Sequence, residues 1–443
     1  MGLSLRDTLI DEPAKRPHSR ARLEPLPSIC KVAILGFGTV GKAVTELLCC
    51  SPSLQLRLTH IYNRNVDRKR VPWVPSQVRW TDNFDEILAS DVDVIVELVG
   101  GVRPAGDWVR QALCAGKSVV TANKHLIATE GDELLELARK ANQRLLYGAS
   151  VAGGVPVLCG LEQGLAGEKL FRLTGVLNGT CNYILSQMQN EVVSFTTALA
   201  RAQEMGYAEA DPSHDLGGFD ASCKLTILAR VGLGAQPRPQ DVYSRSIEGV
   251  EAVDFECARK LGCTIRQVSL AELRGTQLYA AVQPALVPLA SPLAQVKDNQ
   301  NVLITAGVHG GETVFSGRGA GGGPTSVAVV SDLVSISRTE SFLGSTNTRE
   351  LKAYPLNHDL ESPRYLRLRA PKDADISYAV SRVLSESGVS VHSVLQQSAS
   401  GSVGSALVVT LEPCRLSNLE VALERLQKLE HCFAKPLSLP IMN

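Results

Sequence analysis

The chain has 443 residues, 44% hydrophobic, 20% charged and 5% aromatic, with forty-five Lys+Arg set against forty-five Asp+Glu. That composition excludes a disordered chain, a collagen and a coiled-coil rod, and the neutral balance leaves no global basic field for nucleic acid or an anionic membrane. No apolar run reaches the ~18 residues of a transmembrane helix, and at roughly 150 residues per domain the length fits about three domains.

Met1 to Ser28 is polar and Pro/Arg-rich and lacks the apolar core of a secretory signal. It is expected to be a disordered tail. Asp7, Asp11, Glu12 and Glu24 argue against a transit peptide. The eleven cysteines are scattered, with no CxxC pair. That pattern argues against a disulfide framework or a zinc site and points to a reducing cytoplasm.

Lys31 to Leu35 reads as a buried strand, followed at once by Gly36-Phe37-Gly38-Thr39-Val40-Gly41 and an amphipathic helix, Lys42 to Cys49. Further strands fit Leu54 to Tyr62, Asp91 to Val99 and Lys117 to Thr121, with helices at Trp108 to Ala115 and Asp132 to Ala141. This alternation predicts an α/β fold, a Rossmann-type doubly wound parallel sheet, over 29–150. Near residue 150 Gly153, Gly154 and Pro156 break the pattern, and Gly175 to Tyr183 reads as a loop. Mixed helices and alternating segments then predict a second, α+β unit over 151–321. A Gly-rich break, Gly317 to Pro324, precedes an apolar helix, Thr325 to Ile336. Residues 345–363 read as a polar linker, and 364–443 starts a new β-α-β pattern.

The chemistry begins at Gly36 to Gly41. An apolar strand ends at Leu35 and a helix opens at Thr39, the context in which GxGxxG binds a dinucleotide. Gly36 permits the tight turn, Gly38 lets backbone approach a pyrophosphate, and Gly41 lets helix and strand pack closely. An acid usually closes the second strand when the cofactor is NAD, to hold the ribose 2′-hydroxyl. Here the stretch reads Ile61-Tyr62-Asn63-Arg64-Asn65, so Arg64, helped by Arg68 or Lys69, points to a 2′-phosphate and to NADP(H) over NAD(H). A solvated basic loop is the plainer alternative, and Asp67 counts for it.

Thr121-Ala122-Asn123-Lys124 lies at the carboxyl end of a strand, where ligands bind in open sheets. Lys124 is a candidate for a substrate or cofactor group, against the plainer reading of a surface lysine. Met205 to Arg230 concentrates Glu209, Asp211, Asp215 and Asp220 ahead of Lys224. Asp220 and Lys224 are i,i+4 and share a face of a helix starting near Phe219. A partly buried lysine can move the hydroxyl proton of an alcohol while hydride leaves, and acids nearby can hold an amino group. A capped, charged helix start is the alternative. His214 reads as a surface histidine.

The stretches GFGTVG (36–41), ELVGG (97–101), GKSVVTANKHLIA (116–128), ASVAGGVPV (149–157), GVLNGTCNYIL (175–185), GYAEADPSHDLGGFDASCKLTIL (206–228) and GRGAGGGPTSVAVVSDL (317–333) together make the chain resemble a homoserine dehydrogenase. The resemblance implies reversible, NAD(P)-dependent interconversion of L-homoserine and L-aspartate 4-semialdehyde in threonine, methionine and isoleucine biosynthesis. It implies Lys224 as proton donor and acceptor with Asp220 beside the reacting hydroxyl. Glu209 would bind the substrate amino group, supported by Tyr207 and Asp215. Lys124 would sit between cofactor and substrate. Besides residues 36–41 and Arg64, the cofactor would meet Gly100, Thr121, Asn123, Gly206 and Gly321.

It also implies a structural monovalent cation, Na⁺, on backbone oxygens of Gly148, Val151, Gly153 and Val155; the family commonly has Glu where this chain has Gly148. A helix over 322–344 would complete the nucleotide domain. The middle domain would supply a dimer sheet, for a homodimer or higher homo-oligomer. Residues 364–443 would form an ACT-like βαββαβ domain. That module usually has a glycine at its first turn, where this chain has Asp375, which bears on whether L-threonine acts as an effector. No kinase-like domain is expected before residue 30, as in a monofunctional form.

Two rivals remain. One is another Rossmann oxidoreductase of amino acids or aldehydes; an aldehyde dehydrogenase of the semialdehyde type would need a nucleophilic cysteine, for which Cys181 is the candidate against a small buried residue. A non-catalytic protein would bind an amino acid through its tail.

Overall fold

The computed structural model describes residues 29–338, 351–371, 376–398, 405–430, 432 and 434–442. The expected tail 1–28, the first part of the expected linker and the turn with Asp375 lie outside the described residues.

The first sheet is wholly parallel. It contains β1 (Cys30–Leu35), β2 (Leu56–Tyr62), β3 (Arg79–Thr81), β4 (Val94–Glu97), β5 (Ser118–Thr121) and β6 (Leu145–Leu146), in the order β3-β2-β1-β4-β5-β6. Helices cover both faces, so the strands read as continuous apolar runs, and β4 and β5 are buried at every residue. The run 91–99 contributes four strand residues, Val94–Glu97. Strand order reverses between β1 and β4, which opens a crevice at their carboxyl ends. The helix Gly322–Ser337 returns to this sheet: Val329, Val330, Leu333 and Ile336 share a core with Val32, Ile34 and Val44.

The second sheet is mixed. It comprises β7 (Leu170–Val176), β8 (Tyr243–Ser244), β9 (Cys263–Arg274), β10 (Gln277–Pro288), β11 (Gln300–Gly307) and β12 (Gly311–Arg318), in the order β12-β11-β7-β9-β10-β8. Gly175 to Tyr183 is not a loop. It holds the end of β7 and the start of the helix Gly179–Glu191, which Asn178 caps by accepting the Cys181 amide at 2.8 Å. Asn before an apolar helix is a capping signal. The helix Phe219–Leu233 is buried from Asp220 to Leu233, as expected of a helix apolar on nearly all sides. It packs on Lys124–Lys140, where Arg230 donates to Ile127 O at 3.0 Å and pairs with Asp132 at 2.9 Å. These two helices join the two layers.

The third sheet holds β13 (Ser362–Ala370), β14 (Val391–Ser398), β15 (Ser405–Cys414) and β16 (Leu437–Pro440), antiparallel in the order β14-β15-β13-β16. With the helices Ser377–Glu386 and Leu416–Leu426 the chain runs β-α-β-β-α-β. Ser362 and Pro363, expected in the linker, belong to β13. A buried polar contact ties β13 to the second layer: Tyr365 donates to Asp254 at 2.7 Å and Arg367 lies 3.2 Å from the same carboxylate.

Candidate active site

The turn after β1 has the geometry its glycines suggested. Gly36 has φ +105°, and a Cβ there would fall 2.8 Å from Leu98 O. A Cβ on Gly41 would fall 2.1 Å from Gly36 O, so close packing of helix on strand excludes any side chain. Gly38 is open, with nothing within 4 Å of its would-be Cβ, and caps the helix Thr39–Cys50. Exposed amides at such a helix start suit a pyrophosphate. A nicotinamide dinucleotide therefore fits this turn.

Gly321 (φ +112°) opens the helix Gly322–Ser337 opposite that turn, with a Gly322 Cβ position only 3.0 Å from Thr39 O. Phe37 is a correction: its ring is fully buried against Trp80, at 4.8 Å between centroids, so only its backbone can meet a ligand.

A buried acid missed in sequence arranges the neighbouring loops. Glu97, at the end of β4, is fully buried. It accepts the amides of Val99 and Gly100 at 2.8 and 3.1 Å and the Thr121 hydroxyl at 2.6 Å. Thr121 in turn accepts the Asn123 amide at 2.9 Å, while Asn123 donates to Gly101 O and caps the helix Lys124–Lys140. Thr121 is fully buried and Asn123 nearly so. Both side chains therefore shape the loops from within, which leaves their backbone as the part that can meet a cofactor. The signal was a charged residue inside the apolar run 91–99.

Beyond β2, Arg64 and Arg68 line a surface cleft that Asp67, Asp82 and Glu86 share. Lys69 is not part of it. Gly206 has φ +73° and sits at the turn after the helix Phe195–Glu204.

The charged cluster forms where the two layers meet. Asp220 Oδ2 lies 2.8 Å from Lys224 Nζ, and Asp220 Oδ1 lies 2.5 Å from Lys124 Nζ. Lys124 is thus an ion-pair partner across the layers, not a free surface lysine. Lys224 also donates to Leu177 O at 2.8 Å. Asn178, unassigned in sequence, donates to both Asp215 (2.7 Å) and Asp220 (2.9 Å).

Burial alone would raise the Asp220 carboxyl, but Lys224 and Lys124 more than reverse this and hold it well below the usual carboxylate range. For Lys124 burial disfavours the ammonium, yet Asp220 leaves it above its ordinary value. Burial raises Asp215. Asp220 and Lys224 are buried while the Lys124 side chain stays 43% exposed, so the cluster opens on the Lys124 side.

Tyr207 packs on Tyr183 at 4.8 Å, and its carbonyl accepts the Thr180 hydroxyl. Glu209 is exposed, and its backbone carbonyl accepts from Gln203. Asp211 and His214 are exposed too; the His214 ring meets Phe219. Cys181 is fully buried, and burial pushes its thiol well up, the reverse of an activated nucleophile.

Gly148 starts the loop at 148–155 and donates its amide to Asp332 Oδ2 at 2.8 Å. A Cβ at Gly148 would fall 2.8 Å from that carboxylate. Gly153 backs onto Gly319, with its would-be Cβ 2.6 Å from Gly319 O. Val151 is buried and the Val155 carbonyl accepts the Val157 amide at 2.7 Å.

A glycine-rich turn at the switch point of a parallel sheet, facing a buried lysine–aspartate pair, defines a nicotinamide-dependent oxidoreductase. The homoserine dehydrogenase family model matches residues 156–334, and the model for the NAD-binding domain of homoserine dehydrogenase matches 36–148. The chain is 34% identical to the homoserine dehydrogenase of Bacillus subtilis over 380 residues, 83% of this chain and 87% of that one. It is 39% identical to that of Mycobacterium tuberculosis over 384 residues, 83% and 86% of the two chains.

The crystal structure of a homoserine dehydrogenase from Thiobacillus denitrificans superposes with TM-score 0.86 at 29% identity, over 94% of this chain and 98% of that one. A hyperthermophilic archaeal homoserine dehydrogenase in complex with NADPH superposes with TM-score 0.60 at 26% identity, over 70% and 97%. The chain belongs to the homoserine dehydrogenase family, oxidoreductases that act on a CH–OH group with a nicotinamide cofactor.

Proposed function

We propose that Lys224 is the proton donor and acceptor in the interconversion of L-homoserine and L-aspartate 4-semialdehyde, and that Asp220 holds it in place. The observation that carries this is the buried pair, with Lys224 Nζ 2.8 Å from Asp220 and 2.8 Å from Leu177 O. An ammonium has three N–H groups, and these contacts engage two. The third can meet the substrate oxygen. In the reducing direction Lys224 gives its proton to the carbonyl oxygen as it becomes a hydroxyl; in the oxidising direction it takes that proton back. The nicotinamide, when bound, supplies or accepts the hydride. Lys124, on the open side of Asp220, orients substrate against cofactor. Glu209, Tyr207 and Asp215 recognise the amino group, and Gly206 and Gly321 flank the nicotinamide.

The cofactor reading is NADP(H) over NAD(H). Arg64 and Arg68 in one cleft support it, as does the NADPH complex of the archaeal relative. A monovalent cation, Na⁺, on the carbonyls of Gly148, Val151, Gly153 and Val155 is the second reading. Hard oxygen donors suit such an ion, and the Val155 carbonyl keeps one lone pair beyond its bond to Val157. The nearby Asp332 and Glu162 carboxyls, pushed up to about 7 by burial, lack a cationic partner among the described residues.

We also read the chain as a cytoplasmic homodimer whose last sheet is an ACT-like unit open to L-threonine, serving threonine and methionine biosynthesis. Among the described residues no helix is long and apolar enough to cross a membrane.

The test is absorbance of the reduced nicotinamide with L-homoserine and NADP⁺ or NAD⁺, with and without L-threonine. Homoserine-dependent reduction, faster with NADP⁺, is expected. No reduction with either cofactor, in protein that still binds NADPH, would leave the non-catalytic reading standing.

A further inference from the structure

The junction between β7 and the helix Gly179–Glu191 reaches three charged groups of the candidate site. Leu177 O accepts the Lys224 ammonium at 2.8 Å. The next residue, Asn178, is buried and donates to both Asp215 Oδ1 (2.7 Å) and Asp220 Oδ2 (2.9 Å). The direction of that amide is fixed. Its Oδ1 accepts the Cys181 amide as the helix cap, so its NH2 faces the carboxylates. An NH2 group has two N–H donors, and here each meets a different acid. A cap needs only the oxygen; the nitrogen is committed to the acids.

The two acids differ. Asp220 is buried and engaged at both oxygens, by Lys124 at Oδ1 and by Lys224 and Asn178 at Oδ2. Asp215 is half-buried, and among the described residues no donor meets its Oδ2, which stays open to an incoming ammonium. Burial raises the Asp215 carboxyl and the Asp220 charge adds to this, while Asn178, Lys224 and Lys124 lower it. From the other elements packed around it, the Cys181 thiol and the Gln267 amide donate to its backbone carbonyl at 3.2 and 3.5 Å.

We propose that Asn178 is a positioning residue for the substrate: its one amide holds Asp215, at the amino-group end, in register with Asp220 and Lys224, at the hydroxyl end. The role rests on those proposed above for Asp215 and Lys224. Ionised Asp215 is the form that binds an ammonium, so losing the Asn178 donors should weaken homoserine binding and make activity fail sooner as the pH falls. A cap with no other role would cost stability and leave the pH profile in place.

Asn178→Ser keeps a capping oxygen but is too short to bridge the acids. In steady-state kinetics of the full-length protein across a pH series, it is expected to raise the KM for L-homoserine about tenfold and to leave the KM for NADP⁺ near its original value. The acidic limb of kcat/KM should move upward by about one pH unit, the scale of one lost charge-assisted hydrogen bond. Asn178→Asp, which keeps the size and the cap but puts an oxygen where the NH2 was, should shift the limb the same way and serves if the serine variant fails to fold. An unmoved acidic limb, an unchanged KM for homoserine, or an equal rise in the KM for NADP⁺ overturns the proposal. Asp215→Asn separates the two levels: it should raise the KM for homoserine and remove the acidic limb. If it does neither, Asp215 does not recognise the amino group and the role of Asn178 falls with it. If it does both while the Asn178 variants change nothing, the role of Asn178 alone falls.

Discussion

At the carboxyl edge of the first sheet, the candidate cofactor surface is made of backbone: Gly36, Gly38 and Gly41 matter because they have no side chain. In the layer beside it, the candidate chemistry is made of side-chain charge, with Asp220 held between Lys124 and Lys224. The first region is specified locally, by six consecutive residues. The second gathers groups from two helices, and only their packing lowers the local dielectric enough for the charges to act strongly. A substitution in the first region should therefore act by steric exclusion. A substitution in the second should act on turnover.

The sharpest way to break that contrast is Lys224→Ala. Turnover should fall about 10²- to 10⁴-fold, the usual contribution of a positioned acid–base group, while NADPH binding followed by fluorescence persists. Near-normal turnover would remove Lys224 from the proton-transfer role. Gly41→Ala is the mirror experiment. Its new Cβ would collide with Gly36 O, a backbone atom that cannot yield cheaply, so about 2 kcal/mol or more of stability should be lost in denaturant unfolding and NADPH binding should weaken.

Glu97→Gln tests the link between the regions. An amide cannot accept on both sides as the carboxylate does, so about 1–3 kcal/mol of loop order is at stake, read as a raised KM for cofactor with a smaller change in kcat. An unchanged KM would show that the Thr121–Asn123 loop is held by other contacts.

Arg64→Ala should raise the KM for NADP(H) about tenfold, the scale of one charge-assisted contact, and leave NAD(H) nearly unaffected. Equal effects on both would remove the 2′-phosphate role. The smallest effect is expected from Cys181→Ala: a stability loss of about 1 kcal/mol in thermal unfolding, with turnover retained. Abolished turnover would return the thiol to the chemistry.

Much of the parallel sheet was legible because buried parallel strands are largely continuous apolar runs, as in β1, β4 and β5, while β2 shows apolar residues alternating with Arg57 and Thr59. β3 and β6 escaped notice because edge strands of three and two residues carry almost no periodic signal. The segment Gly175 to Tyr183 differs from the expected loop for a related reason: Asn serves loops and helix caps equally well, and the helix Gly179–Glu191 is decided by what its Ile184, Leu185 and Met188 pack against. Glu97 stood in plain view, but a lone acid in a strand has no partner in the local sequence.

The sequence by itself determined what short range can determine. The glycine spacing set the turn after β1, and the i,i+4 spacing of Asp220 and Lys224 on a buried helix set their 2.8 Å pair, since helix geometry leaves those side chains adjacent. Only the tertiary structure decided which distant groups join them. Lys124 reaches Asp220, and Asn178 bridges Asp215 and Asp220, because strands and helices remote in sequence pack into the same place. Local spacing fixes what lies along one element; long-range packing fixes what lies across two.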